Sequence, residues 1–259
     1  MEYLENGYHL EKNIFTKDEI LKIKKEIVGV FKSFCPLKLN DDEIIKYVFK
    51  KDKNAFVGCA SLCQNLNNIF KLYTNKKFES VVKKLGLKNL CMNTRPLISF
   101  SSKDTAINKN YWKVSQHQDW PSTQGSLKGI TCWFPLTSIN EKMGYLEVAP
   151  KTHLLGYLNH IDYKGVPIID SKYKFDFKKI KMNIGDVLFF SNFLVHKSGE
   201  NKSKKIRLTA HFRIDDYSEK TFIQRKYPKT RTDKKIDTIL FPNFPNKQII
   251  YDTFFNDNI

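Results

Sequence analysis

His117 and Asp119 stand two apart in a segment, 112–118 and onward, that reads as extended, where alternate side chains share one face and can approach one metal ion. A His-x-Asp triplet alone means little, because its plain alternative is a hydrogen-bonded pair on the surface. The second half of the chain adds what such a pair lacks. Ile184-Gly185-Asp186 reads as a tight turn launching the apolar run 187–190, after which the chain reaches His196-Lys197-Ser198. A polar stretch, 199–203, then leads into 206–212 with Arg207 near its start. The spacing predicts a hairpin. With its turn between Asn201 and Lys202, His196 faces Arg207 at a Cβ separation of about 5 Å, and Ser198, Thr209 and His211 share that face. An odd-length loop would shift the register by one and invert the faces.

Two imidazoles and one carboxylate on one side of a metal leave three positions open. That arrangement suits non-haem Fe(II), which must hold a co-substrate and dioxygen together. A guanidinium nearby can grip the far carboxylate of a diacid such as 2-oxoglutarate, because its planar fork matches that group and keeps its proton.

In order along the chain stand His117-Gln118-Asp119, then Gly144-Tyr145-Leu146-Glu147-Val148-Ala149-Pro150 ending in His153, then Gly185-Asp186, His196-x-Ser198 and Arg207. This series, with its eleven-residue step from His196 to Arg207, resembles the phytanoyl-CoA dioxygenase family of Fe(II)- and 2-oxoglutarate-dependent oxygenases over roughly residues 91 to 214. Where that family usually shows Pro-Gly-Ser-His, this chain has Pro150-Lys151-Thr152-His153. The resemblance implies a double-stranded β-helix, the cupin-like jelly roll, with helices bracing one sheet. It implies iron on His117, Asp119 and His196, with 2-oxoglutarate gripped by Arg207 helped by Ser198, and Trp133 beside the co-substrate. It also implies a hydroxylase, in which dioxygen and the keto acid give succinate, carbon dioxide and an oxidised substrate. Related halogenases carry a small residue in place of the carboxylate, so Asp119 points to hydroxylation or another oxidation.

Arg95, on the strand before the metal motif, is a candidate for a substrate anion, with a surface charge as its alternative. Trp120 and Ser126 follow the metal motif at the expected barrel mouth and are candidates for the substrate pocket, with loop structure as theirs. Gln118 should point away from its two neighbours. His9, His160 and His211 are not needed as ligands.

These side chains need a frame. Residues 1–90 read as helical: Thr16 with Glu19, and Asn40 with Glu43, are possible capping boxes, each followed by apolar residues at helical spacing. Further helices are expected over 62–73 and 78–85, the latter closed by Gly86. From about Leu90 the texture changes to short aromatic and β-branched runs between Gly, Pro, Asn and Ser clusters. Candidate strands are 91–100, 112–118, 129–136, 145–148, 187–190 and 207–214. Helices followed by short strands predict an antiparallel barrel or sandwich with helices outside. One domain over 1–259 is expected, with its core in 91–224 and a Pro-interrupted C-terminal arm over 225–259.

The five cysteines are scattered and odd in number, which speaks for reduced thiols; Cys59 and Cys63 lack the second ligand pair of a zinc site. No run approaches the roughly 20 apolar residues of a membrane span. Glu2 and Glu5 occupy the start, where an export signal carries positive charge, so a cytoplasmic location is expected. The formal charge of +17 favours anionic partners, but only five of the 44 basic residues are arginine, as a codon bias toward lysine would give. A nucleic-acid binder usually adds arginines or a reading module, and neither stands out. A small anionic substrate, with dioxygen as co-reactant, is the expectation. A cupin-like binding protein without catalysis, and an oxygenase acting on nucleic acid, are the competing readings.

Overall fold

The computed structural model describes residues 2–106, 114–163, 166–170, 172–228 and 244–256. After a short α1 (Glu2–Asn6) and the strand β1 (Tyr8–Glu11), both capping boxes form as read. Thr16 Oγ1 accepts from the Glu19 amide at 3.2 Å and the Glu19 carboxylate accepts from the Thr16 amide at 2.7 Å, opening α2 (Lys17–Lys32). Asn40 and Glu43 repeat the exchange at the start of α3 (Asp41–Lys51). Each box satisfies two amides that the first helical turn leaves without partners.

The helix expected over 62–73 is instead two, α4 (Lys53–Cys63) and α5 (Asn67–Tyr73), broken where Leu66 turns extended. At 3.6 residues per turn, Cys63 and Leu72 would face opposite sides of one continuous helix. Both are buried in the same core, which the break allows. Helix α6 (Lys76–Lys84) follows and ends before Gly86 at φ +108°, a conformation suited to glycine.

The strands are β2 (Leu90–Ser101), β3 (Ile130–Pro135), β4 (Leu146–Val148), β5 (His160–Tyr163), β6 (Val166–Ile169), β7 (Lys178–Ile180), β8 (Val187–Ser191), β9 (His196–Ser198) and β10 (Arg207–Asp216). A five-stranded sheet runs β1-β8-β3-β10-β2, a three-stranded sheet runs β7-β4-β9, and β5 and β6 form a hairpin, all antiparallel. Alternation divides the large sheet. Ile98, Cys132, Phe134, Phe189, Ala210 and Phe212 face helices α2 to α6, while Trp133, Leu188 and Phe190 pack with Leu146 and Val148 of the small sheet. The interior between the two sheets is where the site lies.

Two expectations are corrected here. Residues 107–113 fall outside the described part, and His117 meets its neighbour in a single bridge to His196 rather than in a strand over 112–118. Residues 196–207 are not a hairpin: β9 pairs with β4, as Val148 with His196, whereas β10 pairs with β2 and β3. The loop between them crosses from the small sheet to the large one, held by the buried Asn201, whose amide donates to the carbonyls of Ser101 and Lys205. Local spacing could not show this, because each strand edge had another partner available.

Helices α7 (Trp120–Thr123), α8 (Lys220–Gln224) and α9 (Lys247–Phe255) complete the described α-helices and strands. Phe244 and Ile250 of the C-terminal arm pack on Trp120, Leu127 and Phe193, just behind the metal motif. Among the described residues no helix is long and apolar enough to cross a membrane.

Candidate active site

His117, Asp119 and His196 converge with one ligand atom each, all within 4.8 Å of one another, a group of metal-ligating type among the described residues. Asp119 Oδ1 lies 3.7 Å from His117 Nε2 and 4.0 Å from His196 Nε2. Backbone pairing places the two imidazoles: His117 and His196 exchange amide–carbonyl bonds of 3.0 Å in both directions, and their rings stand 4.1 Å apart. Each Nδ1 is tied to a nearby carbonyl, Ser115 at 2.8 Å and Leu194 at 2.9 Å, so each ring carries its proton there and offers the Nε2 lone pair inward. Burial, reinforced by the neighbouring His196, pushes His117 down to about 3, and burial lowers His196 as well. Both therefore stand neutral, the state a metal ligand needs. Two neutral imidazoles and one carboxylate fit a divalent iron.

Asp119 has partners of its own. Arg213 on β10 donates to both carboxylate oxygens, Nη2 to Oδ1 at 3.0 Å and Nε to Oδ2 at 3.3 Å. Thr131 on β3 donates to Oδ2 at 2.6 Å and lies 2.8 Å from the Asn192 carboxamide. Burial is the largest single influence and would push this carboxyl up, but the Arg213 charge and hydrogen bond, together with the two imidazoles, hold it well below the usual range. Sequence reading did not reach Arg213, Thr131 or Asn192. The available signal was parity, since Arg213 stands six residues after Arg207 and so shares its face of β10.

Arg207 is buried at the far end of that face. Its Nη1 donates to the carbonyls of Met143 and Gly199 at 3.0 Å, and also to Gly144; its Nη2 donates to Ser101 Oγ at 3.3 Å. Its Nε is buried and has no partner among the described residues. Burial lowers this guanidinium to about 10, which still leaves it charged at neutral pH. An unpartnered Nε beside a sparingly used Nη2 is the edge a carboxylate grips through two parallel bonds, so the residue fits the distal end of a diacid. Ser198 lies on β9, next to Gly199, whose carbonyl Arg207 holds.

Two glycines make that cradle. Gly144 sits at φ +75°, and a Cβ there would come 2.5 Å from the Gly199 carbonyl carbon. Gly144→Ala should therefore cost about 2 kcal/mol or more in urea melts, from the positive φ and the clash together. It should also loosen the carbonyls around Arg207.

The remaining sequence candidates lie elsewhere. Trp133 faces the interior between His211 and Leu188. Arg95 is exposed and donates through Nε to Gln64 Oε1 at 2.9 Å, on the helical side of β2, so it does not enter the site we propose. Trp120 is fully buried against Phe193, Phe244 and Tyr157, and the buried Ser126 shapes a turn by accepting from the Lys128 amide. Here Trp120 packs an aromatic cluster and Ser126 holds a turn. Gln118 points away from the metal donors and clamps the following loop, donating to the carbonyls of Gly156 and Phe193 and accepting from the Leu158 amide. His160 accepts from the Gln118 amide, His9 pairs with Glu11, and the buried His153 meets the Leu4 carbonyl. Lys151 stands at φ +68°, a left-handed conformation that explains why the resembled motif usually has glycine there.

Asp215, last in the inward row of β10, receives the Ser126 amide and the Asn93 amide group, and Gly125 leaves room for it. Burial pushes its carboxyl up from the ordinary 3.8 to about 6. A folded value above the unfolded one means that the fold gains from protonation. The gain is full below about 4 and is lost as pH rises through 6. Two units amount to roughly 3 kcal/mol. Asp215→Asn should accordingly gain on the wild type by about that much between pH 4 and pH 7 in chemical denaturation; parallel curves would show that the buried acid is already ionised at pH 4.

A jelly roll bearing two imidazoles and one carboxylate between its sheets defines a class, the non-haem iron oxygenases. The chain belongs to the phytanoyl-CoA dioxygenase family, whose pattern matches residues 3–209. A methylphosphonate hydroxylase from Gimesia maris is 31% identical over 125 residues, 47% of each chain, so the match spans about half the length of that curated relative. Among solved structures, the non-haem monooxygenase ThoJ in its apo form has a TM-score of 0.61 at 15% identity, covering 84% of this chain and 76% of that one. The epimerase SnoN, in complex with Fe3+, alpha ketoglutarate and nogalamycin RO, gives 0.58 at 15% identity over 84% and 82%. EctD from S. alaskensis, with 2-oxoglutarate and 5-hydroxyectoine, gives 0.52 at 16% over 84% and 75%. At these identities the likeness is one of fold.

Proposed function

We propose that the chain is an Fe(II)- and 2-oxoglutarate-dependent dioxygenase that hydroxylates a small polar, anionic metabolite, such as a sugar derivative, a natural-product intermediate or a carrier-linked acid. The observation that carries the reading is the convergence of two neutral imidazole nitrogens and one charged carboxylate oxygen inside the barrel. In this reading His117, His196 and Asp119 hold the iron, and Arg207, with Ser198 beside it, takes the distal carboxylate of 2-oxoglutarate. Iron and the keto acid, when bound, supply the activation of dioxygen, with succinate and carbon dioxide released. The chain orients these groups: Ser115 and Leu194 carbonyls fix the imidazole tautomers, Arg213 and Thr131 fix the carboxylate, and Trp133 and Leu188 exclude water from one wall. Two facts support an anionic substrate: the net charge of +17, and the relative that by its name hydroxylates methylphosphonate, a small anion.

The test is succinate formation from 2-oxoglutarate with Fe(II) and ascorbate, with methylphosphonate as the first substrate probe. The wild type should form succinate slowly without substrate, while His196→Ala should not. Equal background in both proteins would overturn the reading and leave a non-catalytic binding protein.

A further inference from the structure

We infer that Arg213 is a positioning residue for the iron ligand Asp119: it fixes the carboxylate in its metal-facing rotamer and its charge favours Fe(II) over Fe(III). The inference rests on the reading of His117, Asp119 and His196 as the iron site. Its basis is geometric. Both guanidinium bonds of Arg213 go to Asp119, from a position 94 residues away in sequence, and one reaches Oδ1, the oxygen that faces the two imidazoles. Arg213 is itself buried at 7% exposure, so its pairing is not a loose surface contact.

A carboxylate oxygen has two lone pairs, so Oδ1 can keep the Arg213 Nη2 bond while it binds a metal. The other oxygen stays occupied by Thr131 and by Arg213 Nε, which holds Asp119 to one oxygen on the metal and leaves the remaining positions open. Thr131 has a single proton, and the charged carboxylate is the stronger acceptor, so the proton goes to Asp119. A half-turn of the Asn192 carboxamide would let its otherwise unpartnered NH2 donate to Thr131 and complete the chain. Geometry and charge then have separable effects. The fork orients the ligand and strengthens metal binding. The positive charge, 3.0 Å from the carboxylate oxygen that faces the two imidazoles, would oppose Fe(III) more than Fe(II) and raise the reduction potential.

Arg213→Lys keeps the charge and loses the fork; Arg213→Gln loses both. Metal affinity is read by chelator competition with Fe(II) under argon, and the Fe(III)/Fe(II) midpoint by redox titration. We expect the Lys variant to lose affinity about tenfold or more with its midpoint near the wild type. The Gln variant should show a midpoint lowered by about 59 mV, a tenfold shift in the ferrous-to-ferric affinity ratio for one electron. Should the Gln variant fail to fold, Arg213→Met, which keeps the apolar stem and removes the charge, serves in its place with the same lowered midpoint expected. Variants indistinguishable from the wild type in both measurements overturn the inference alone. A wild type that takes up no iron overturns the functional reading and this inference together.

Discussion

Asp119→Ala should abolish metal retention and also destabilise the metal-free fold by about 3–5 kcal/mol, because it leaves the buried Arg213 charge without its partner. The two losses have different origins and can be separated. Stability measured in chelator removes the metal's own contribution, so whatever falls there belongs to the ion pair. In the double variant Asp119→Ala/Arg213→Leu the buried charge is gone, and most of the lost stability should return without the metal, since replacing both members of a buried pair by apolar groups is often close to neutral. His117→Ala should lose metal as well, yet it uncovers no charge, so its chelated melt should fall less. Equal destabilisation by Asp119→Ala and His117→Ala would show that Arg213 is well solvated without its carboxylate.

Arg207→Ala is the second large effect. It should leave metal binding in place and weaken 2-oxoglutarate by roughly 30- to 5,000-fold, the range of 2–5 kcal/mol for truncating one partner of a buried charged hydrogen-bonded pair. Anaerobic titration of the Fe(II) protein with 2-oxoglutarate measures this directly. Part of the loss will be structural, because Arg207 also gathers the carbonyls of Met143, Gly144 and Gly199. Gly144→Ala is the natural comparison, as it disturbs the same carbonyls and keeps the guanidinium. If Arg207→Ala binds 2-oxoglutarate no worse than Gly144→Ala does, the distal carboxylate is held by another group.

The donor types at the site were legible in the chain, and so was much of the frame. The capping boxes of α2 and α3 close within four residues, where sequence neighbours are also neighbours in space. The strands β2, β3, β8 and β10 showed themselves by composition, as aromatic and β-branched runs between turn residues, and in β3, β8 and β10 most side chains are buried. Short lysine-bearing strands such as β7 (Lys178–Ile180) lack that signature, since only Ile180 of its three residues is buried. Arg95 misled for a related reason: residue type and strand position do not say which face a side chain takes when a strand has helices on one side and an interior on the other.

The amino-acid order by itself settled which groups are available for chemistry, that His117 and Asp119 stand within reach of each other, and where the helices begin. Only the folded chain decided that β9 joins β4 across from β10, that Arg207 meets Gly199 and Gly144 in the other sheet, and that Arg213 closes on Asp119. The physical reason is the range of the forces. Caps and turns are fixed by bonds spanning a few residues, whereas strand partners and buried charge pairs are selected by how the whole interior fills, with every candidate edge and every buried polar group competing for its place.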